Sequence, residues 1–209
     1  MSLAPRVNYR HGDLRQALVD AGLDMAREGG PDAVVLREAT RRAGVSPNAA
    51  YRHFADRTEL VEAVSDAAQS LVAGAIEAEW DAVPATDPAT DVAHAHLRAV
   101  GRGYLGFARD EPGLFRAAFT VPRDLETALD PAKAGPGGRT SFQLLSMALD
   151  ELVAVGSLPP ERRPGAEFSA WSAVHGLAML VLEGPLRNLD RDVARAAGAR
   201  LIDMVDRGL

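Results

Sequence analysis

Four residues between positions 47 and 52 have side chains that suit contacts with the edges of base pairs. Arginine can form a bidentate pair with guanine and asparagine can do so with adenine, which makes Arg52 and Asn48 candidate base-reading residues. Pro47 and Ala49 are compact and can pack on the methyl group of a thymine. This chemistry requires an element that carries all four side chains into a major groove.

The surrounding stretch, Leu36–Arg57, predicts two short helices joined by a tight turn. Gly44 ends the first helix in the left-handed position that glycine favours, and Ser46 is a candidate cap for the second. Pro47 suits the first helical position because its missing N–H is not needed there. The first helix carries small or apolar residues at the spacing of one face, namely Leu36, Ala39, Thr40 and Ala43.

The second helix is predicted over Pro47–Phe54. Its inward edge consists of Ala50, Tyr51 and Phe54, which leaves Asn48, Ala49 and Arg52 facing outward. A helix, a glycine turn and a short helix with outward polar and basic residues form a helix-turn-helix.

This motif resembles the DNA-binding motif of the tetracycline-repressor (TetR) family of bacterial regulators. The matching residues are Arg37-Glu38, Ala43-Gly44-Val45-Ser46-Pro47, Tyr51-Arg52-His53-Phe54, then Arg57 and Leu60, with His11-Gly12-Asp13-Leu14-Arg15 similar to the opening of helix 1 in one branch. The resemblance implies that Tyr51, His53 and Arg57 contact phosphates, which fix the position of a protein on DNA without reading sequence. It also implies a homodimeric, ligand-responsive transcriptional regulator that acts as a repressor on a double-stranded operator.

Four positions depart from the family pattern. Val35 stands where a capping Ser or Thr commonly opens helix 2, and Ala50 stands where leucine is usual. Ala39 and Thr40 replace a larger-then-smaller apolar pair. We expect these changes to alter the packing of helix 3 and its fine docking on DNA.

Composition and motifs together predict an all-α protein. Hydrophobic residues make up 47% of the 209 residues, alanine and leucine dominate, and β-branched runs are short. The predicted organisation is an N-terminal three-helix helix-turn-helix domain over residues 1–56 and an α-helical effector-binding and dimerisation domain over 57–209. A long helix 4 joins them, and about nine helices are expected in total.

The charge is distributed unevenly along the chain. The net charge is −6, yet residues 1–60 carry nine arginines against eight acidic residues. Residues 61–209 carry 14 basic and 21 acidic residues. A basic motif on an acidic body suits a DNA-binding domain attached to another domain. Residues 1–10 are predicted to form a flexible arm, in which Arg6 and Arg10 reach DNA or simply belong to a disordered tail.

Compartment and cofactors are constrained by what the sequence lacks. There is no cysteine, which excludes disulfides and thiolate metal sites. No apolar run approaches the ~20 residues of a membrane span, and the first residues do not form a signal peptide. These features predict a cytoplasmic protein with no membrane contact, no cofactor and no metal.

A second constellation lies in the C-terminal part, where the resemblance implies an effector pocket among helices 4 to 8. Ala170-Trp171 and Val174-His175-Gly176-Leu177 are similar to a Trp-His-Gly signature of one group of these effector domains. A pocket of aromatic residues and methionine with one histidine predicts a small, largely apolar effector. The predicted effector-binding residues are Tyr104, Phe107, Phe115, Phe119, Phe142, Trp171, His175 and Met179. The sequence leaves open whether residues 122–138, predicted to form a mobile loop, line this pocket.

The last two helices carry more apolar surface than terminal helices need, and the resemblance implies a four-helix bundle across a two-fold axis. We therefore predict a homodimer through helices 8 and 9. Small residues that permit close approach are Gly176, Ala178, Ala197 and Gly198.

Catalysis finds little support in the sequence. His94 and His96 are two positions apart and so do not share a helix face. The glycines at 135–138 lack the Lys-Ser/Thr of a phosphate-binding loop. Two alternatives to a regulator remain open. One is a helical small-molecule-binding protein that has lost specific DNA binding, and the other is a protein-interaction module.

Overall fold

The computed structural model describes residues 11–85, 88–122 and 124–209, with side chains from residue 14 onward. These residues form nine α-helices and no strand, which confirms the all-α prediction. The predicted arm with Arg6 and Arg10 lies outside the described residues. The helices are α1 His11–Gly29, α2 Leu36–Arg42, α3 Pro47–Ala50, α4 Arg57–Asp81, α5 Ala89–Asp110, α6 Pro112–Ala118, α7 Ser141–Ala154, α8 Ala166–Leu182 and α9 Arg191–Gly208.

The turn between α2 and α3 has the predicted local geometry. Gly44 adopts a φ of 68°, and the hydroxyl of Ser46 accepts a hydrogen bond from the Ala49 N–H at 3.3 Å. No side chain caps α2, in agreement with the valine at position 35. The α-helical part of α3 ends at Ala50 rather than at Phe54, although the Phe54 N–H still bonds the Ala50 carbonyl at 3.0 Å.

The inward edge of α3 differs from the sequence prediction at one residue. Ala50 and Phe54 are fully buried, but Tyr51 is 59% exposed. The helix ends at Ala50 and the chain continues as a turn, so the helical spacing no longer decides where Tyr51 points. Tyr51 therefore belongs to the outer surface and not to the core.

Helix α4 connects the two ends of the molecule. It begins with Asp56 as its cap, and its 25 residues extend about 38 Å. Leu60 and Val64 are fully buried near its start, and Ile76 is buried near its end. Helices α1, α5, α6 and α7 all pack on it.

Helix α6 forms a second connection between the N-terminal helices and the rest. Gly113 lies so close to the carbonyl of Ala26 in α1 that a Cβ there would collide with backbone. Arg27 of α1 also pairs with Glu111 at 3.0 Å. At the other end of α6, the Ala118 carbonyl accepts a hydrogen bond from Ser65 of α4 at 3.0 Å.

The C-terminal core is organised around α5, which packs against α4, α7, α8 and α9. Gly103 lets α5 approach the backbone of α4, because a Cβ at this position would lie 2.6 Å from the Ile76 Cα. Within the described residues, no helix has the length and apolarity needed to cross a membrane.

Candidate DNA-binding surface and effector cavity

The residues predicted to contact DNA lie together on one outer surface. Pro47, Asn48, Tyr51 and Arg52 are exposed, while Ala49 and His53 are half-buried. Buried Ala50 and Phe54 hold the other side of this segment against the core. The arrangement presents polar and basic side chains outward from a firmly packed support, as groove binding requires.

The arginines of the motif fall into two groups. Arg41 donates to Glu38 at 2.6 Å, and Arg42 pairs with both Glu38 and Glu28. These contacts hold the pKa of Glu38 at about 2, so its charge persists at neutral pH and offsets part of the basic surface. Arg37 and Arg52 are exposed and have no side-chain or backbone acceptor among the described residues. Their guanidinium groups are available for an external partner.

Arg57 has a structural role that the sequence analysis did not identify. Its guanidinium donates to the Val34 carbonyl at 2.8 Å and to the Pro31 carbonyl at 2.9 Å. These bonds tie the start of α4 to the segment that precedes α2. These acceptors are backbone carbonyls, which every residue has, so side-chain types could not indicate the bonds. The remaining donors of the guanidinium are still available for a phosphate.

An interior cavity of about 80 Å³ lies between α4, α5, α7, α8 and α9. Four of the eight predicted effector residues line it, namely Tyr104, Phe119, Phe142 and Trp171. Its other apolar walls come from Ile76, Leu97, Leu145 and Ile202. The structure therefore brings half of the predicted set to one cavity that is mostly apolar.

A short polar chain lies at the aromatic end of the cavity. The Tyr104 hydroxyl bonds Nδ1 of His175 at 2.7 Å and accepts from the indole N–H of Trp171 at 3.3 Å. Burial raises the pKa of Tyr104 above its usual value and lowers the pKa of His175, so both groups are held neutral. A neutral, internally bonded polar group suits an uncharged part of a ligand.

The other four predicted residues occupy different places. Phe115 is fully buried, and its ring and that of His175 lie directly behind the lining residues, with the Phe119–His175 ring centres 5.0 Å apart. Phe107 instead lines a separate surface groove of about 600 Å³ between α4, α5, α8 and α9. Met179 packs against the core without lining the cavity. The resemblance assigned all four to the effector region but did not show which neighbour each one meets.

Residues that the sequence analysis missed complete the cavity wall. Gln69 of α4 lines it while donating to the Ala118 carbonyl at 2.9 Å. Ala128, Lys133 and Thr140 also line it, so part of the 122–138 loop forms one wall. Lys133 is only 3% exposed, which a lysine in a Gly/Pro-rich loop would not suggest from sequence.

His94 lies in a cluster whose geometry resembles a catalytic arrangement. Its Nδ1 is 2.6 Å from Asp206 and its Nε2 is 3.1 Å from the Ser157 hydroxyl. The N–H groups of residues 156–158, however, all donate to carbonyls of α7, so this segment offers no oxyanion donor. Asp206 is also shared with Arg98 at 2.6 Å. The cluster ties α9 to α5 and to the end of α7.

No group of three or more His, Asp or Glu side chains in the described ranges is arranged to hold a metal ion. The two histidines of α5 are each paired with a carboxylate, since His96 lies 2.6 Å from Glu151. The described residues thus give no support to a metal centre.

Two family profiles match the chain. The profile described as "Bacterial regulatory proteins, tetR family" covers residues 18–64, and "Tetracyclin repressor-like, C-terminal domain" covers residues 97–205, more than half of the chain. No curated protein sequence matches it.

Solved structures share the fold over nearly the whole length. A protein with unknown function from Rhodococcus sp. RHA1 has a TM-score of 0.70 at 25% identity, covering 97% of this chain and 98% of that one. A TetR-family transcriptional regulator from Pectobacterium atrosepticum has a TM-score of 0.59 at 18% identity, covering 98% and 97%. A TetR variant from Acinetobacter baumannii AYE in complex with minocycline has a TM-score of 0.55 at 17% identity, covering 92% and 94%. With the helix-turn-helix and the two matching profiles, the chain belongs to the TetR family of bacterial transcriptional regulators.

Proposed function

We propose that this regulator is a repressor that binds its operator through α3 and is released by a small, largely apolar effector. The observation that carries the DNA-binding part is the exposed surface of α3, where Asn48 and Arg52 face outward beside Tyr51. Pro47, Asn48, Ala49 and Arg52 would contact bases, while Tyr51, His53 and Arg57 would contact phosphates. Arg37 is added to the phosphate-contacting set because it is exposed and lacks an internal acceptor.

The effector part of the proposal rests on the cavity beside Tyr104 and Trp171. Its lining is mostly apolar, and its neutral polar chain matches a ligand with few polar groups. Phe119 at the cavity follows directly after α6, which also contacts α1 through Gly113. A ligand would act only as far as it binds the released state more tightly than the operator-bound state.

Dimerisation through α8 and α9 is supported by unburied apolar surface. Most residues of α8 are apolar, yet only three of these apolar residues are buried, namely Ala166, Ala170 and Ala178. Leu180 is 43% exposed, and Met204 of α9 is 60% exposed. A second copy would cover this surface and would place two α3 segments on successive turns of DNA, ~34 Å apart or multiples of this spacing.

Three further parts of the proposal rest on the family and the sequence. We place the domain boundary between residues 56 and 57, where α4 begins. Operator binding implies a cytoplasmic location. The pair Trp171 and His175, joined through the Tyr104 hydroxyl, agrees with the Trp-His-Gly group of effector domains.

The test is a selection of bound sites from random double-stranded DNA with the purified protein. We expect a site with two related half-sites, and an apparent mass in solution of two chains. If the selection enriches no sequence while a small apolar dye still binds, the repressor proposal is wrong. The protein is then better described as a helical small-molecule-binding protein that has lost specific DNA binding. If a protein with the mass of one chain enriches a specific DNA site, the dimer proposal is wrong.

A further inference from the structure

The segment from Lys133 to Arg139, called the strap below, runs along one face of α4. The Ser70 hydroxyl donates to the Ala134 carbonyl at 2.6 Å, and the Glu77 carboxylate accepts from the Gly137 N–H at 2.8 Å. Between them, a Cβ at Gly74 would lie 3.1 Å from the Pro136 ring. Spacings of three and four residues place these α4 positions on one side of the helix. The loop predicted to be mobile is thus held to α4.

Glu77 is the centre of this contact. It is only 5% exposed, and Nε of Arg139 lies 3.4 Å from its second oxygen. A Cβ at Gly135 or Gly137 would lie 2.5 Å or 2.6 Å from the carboxylate. Because Gly135 and Gly137 lack a Cβ, the strap backbone can lie directly against the Glu77 carboxylate.

One end of the strap also forms part of the cavity wall. Lys133 lines the cavity, and so does Thr140, the residue that follows the strap and caps α7 through its hydroxyl and Gln143. Lys133 donates to Thr127 at 2.9 Å and lies 3.9 Å from Asp66 of α4. One short segment therefore contacts the cavity, the start of α7 and the helix that leads to the DNA-binding surface.

The cavity is too small for a typical ligand unless one of its walls moves. About 80 Å³ is small beside the ~300–1,000 Å³ of common ligand sites, so an effector must enlarge the space. The α5 wall cannot retreat toward α4, because Gly103 already touches the Ile76 backbone. The strap is held instead by a few hydrogen bonds to one buried carboxylate and one serine, which can open without disrupting a packed core.

We propose that Glu77 is a positioning residue that couples the cavity to α4 through the strap. This proposal rests on the proposed function, because it assumes that the effector occupies this cavity. A ligand beside Lys133 and Thr140 displaces the strap and removes hydrogen bonds from the buried Glu77 carboxylate. Since a buried carboxylate without partners is unfavourable, α4 shifts to hydrate it. The DNA-binding helices at the start of α4 move with it.

The test is hydrogen-exchange mass spectrometry of the full-length protein with the neutral dye N-phenyl-1-naphthylamine as cavity ligand. In the wild type we expect the dye to change exchange in residues 57–81 and 133–139 together, by about threefold or more. Glu77→Ala should keep dye affinity within about threefold yet lose the response of residues 57–81. Glu77→Gln retains an acceptor for the Gly137 N–H and should restore most of that response.

A variant on the strap side keeps the test valid if Glu77→Ala unfolds the protein. In Gly137→Ala, the added methyl group meets the carboxylate and should uncouple α4 as Glu77→Ala does, and adding Glu77→Ala to it should relieve the clash. An unaltered response of residues 57–81 in both variants would overturn the proposal, as would rapid exchange of residues 133–139 in the free wild type. Absence of dye binding to the wild type would remove both this coupling and the proposed effector cavity. The DNA-binding proposal would still be decided by its own site selection.

Discussion

The DNA-binding surface and the effector cavity are built from the chain in different ways. Seven of the eight residues proposed to contact DNA lie within positions 47–57, on one short helix, its following turn and the first residue of α4, and the eighth, Arg37, lies on α2. The cavity takes its lining from α4, α5, α7, α8, α9 and the loop before α7. A contiguous surface can therefore change by single substitutions without loss of the core, whereas a cavity wall cannot change without affecting several helices.

The two regions also differ in how they can recognise a partner. The DNA-binding surface has exposed cations at Arg37 and Arg52 that have no acceptor among the described residues, and salt will screen their interactions. The cavity has a neutral chain from half-buried Trp171 through buried Tyr104 to half-buried His175, where burial rather than charge would provide affinity. Salt should therefore weaken operator binding far more than effector binding.

A substitution in the contact between α1 and α6, which connects the N-terminal helices to the cavity region, should change the free energy of unfolding most. Gly113→Ala places a methyl group against the Ala26 carbonyl, and backbone cannot move aside as a side chain can. We expect a loss of about 2–3 kcal/mol in the free energy of unfolding, measured in urea. Gly106→Ala is the matched control, because its Cβ would meet only the end of Arg109 at 3.8 Å, and it should be neutral or stabilising. If both variants lose the same free energy of unfolding, the α1–α6 contact is not as tight as the structure indicates.

A charge placed in the proposed dimer surface of α8 and α9 should prevent dimerisation. Leu180→Glu puts a charge into the apolar surface that a second copy would cover, and the charge would have to be desolvated in the dimer. We expect a shift from two chains to one in sedimentation equilibrium at micromolar concentration, with helical content retained. Leu125→Glu, at a site of 45% exposure outside α8 and α9, should leave the dimer intact. A dimer that survives Leu180→Glu would place the interface elsewhere.

The Tyr104 hydroxyl, which joins His175 and Trp171, should contribute less to the free energy of unfolding. Tyr104→Phe leaves the His175 nitrogen and the Trp171 N–H without their partner, for an expected loss of about 1–2 kcal/mol in urea unfolding. Tyr51→Phe removes the same group at a 59% exposed site and should leave stability unchanged. If the two variants lose the same stability, the cavity chain does not stabilise the fold.

Titration of His175 should give the smallest effect. Burial lowers its pKa, so the unfolded chain takes up the proton first as pH falls. The neutral histidine's contribution is fully present above the unfolded pKa of about 6.5 and declines as pH falls below it. Relative to His175→Gln, the wild type should lose about 2 °C more in melting temperature between pH 7.5 and 5.5. Parallel melting curves for the two proteins over this range would contradict the burial effect.

The same contrast explains what the sequence could predict. The roles of Gly44 and Ser46 were predicted correctly, because turns and helix caps depend on nearby residues. Periodicity also identified Phe107 as inward but could not tell the groove from the cavity. Lys133 could not be predicted at the cavity, since its burial depends on a loop that folds onto α4.

The DNA-binding residues have a similar limit. The exposure of Asn48 and Arg52 was predicted from the motif, whereas the exposure of Tyr51 was not, because the helix ends before it. The bonds from Arg57 to two carbonyls could not be read from side-chain types. Local sequence patterns thus predicted where the DNA-binding surface lies, whereas the hydrogen bonds made by its residues were seen only in the structure.

The most direct test of the central claim is fluorescence anisotropy with the selected operator, titrated in salt, for wild type, Arg52→Ala and Arg41→Ala. Arg52 is free to reach a base, whereas Arg41 is engaged by Glu38. We predict a steep salt dependence for all three proteins, and a loss of operator affinity of about 5- to 150-fold for Arg52→Ala alone. Arg41→Ala should stay within about threefold of wild type. Equal losses for the two variants, or wild-type binding no tighter to the operator than to random DNA, would contradict sequence recognition by α3.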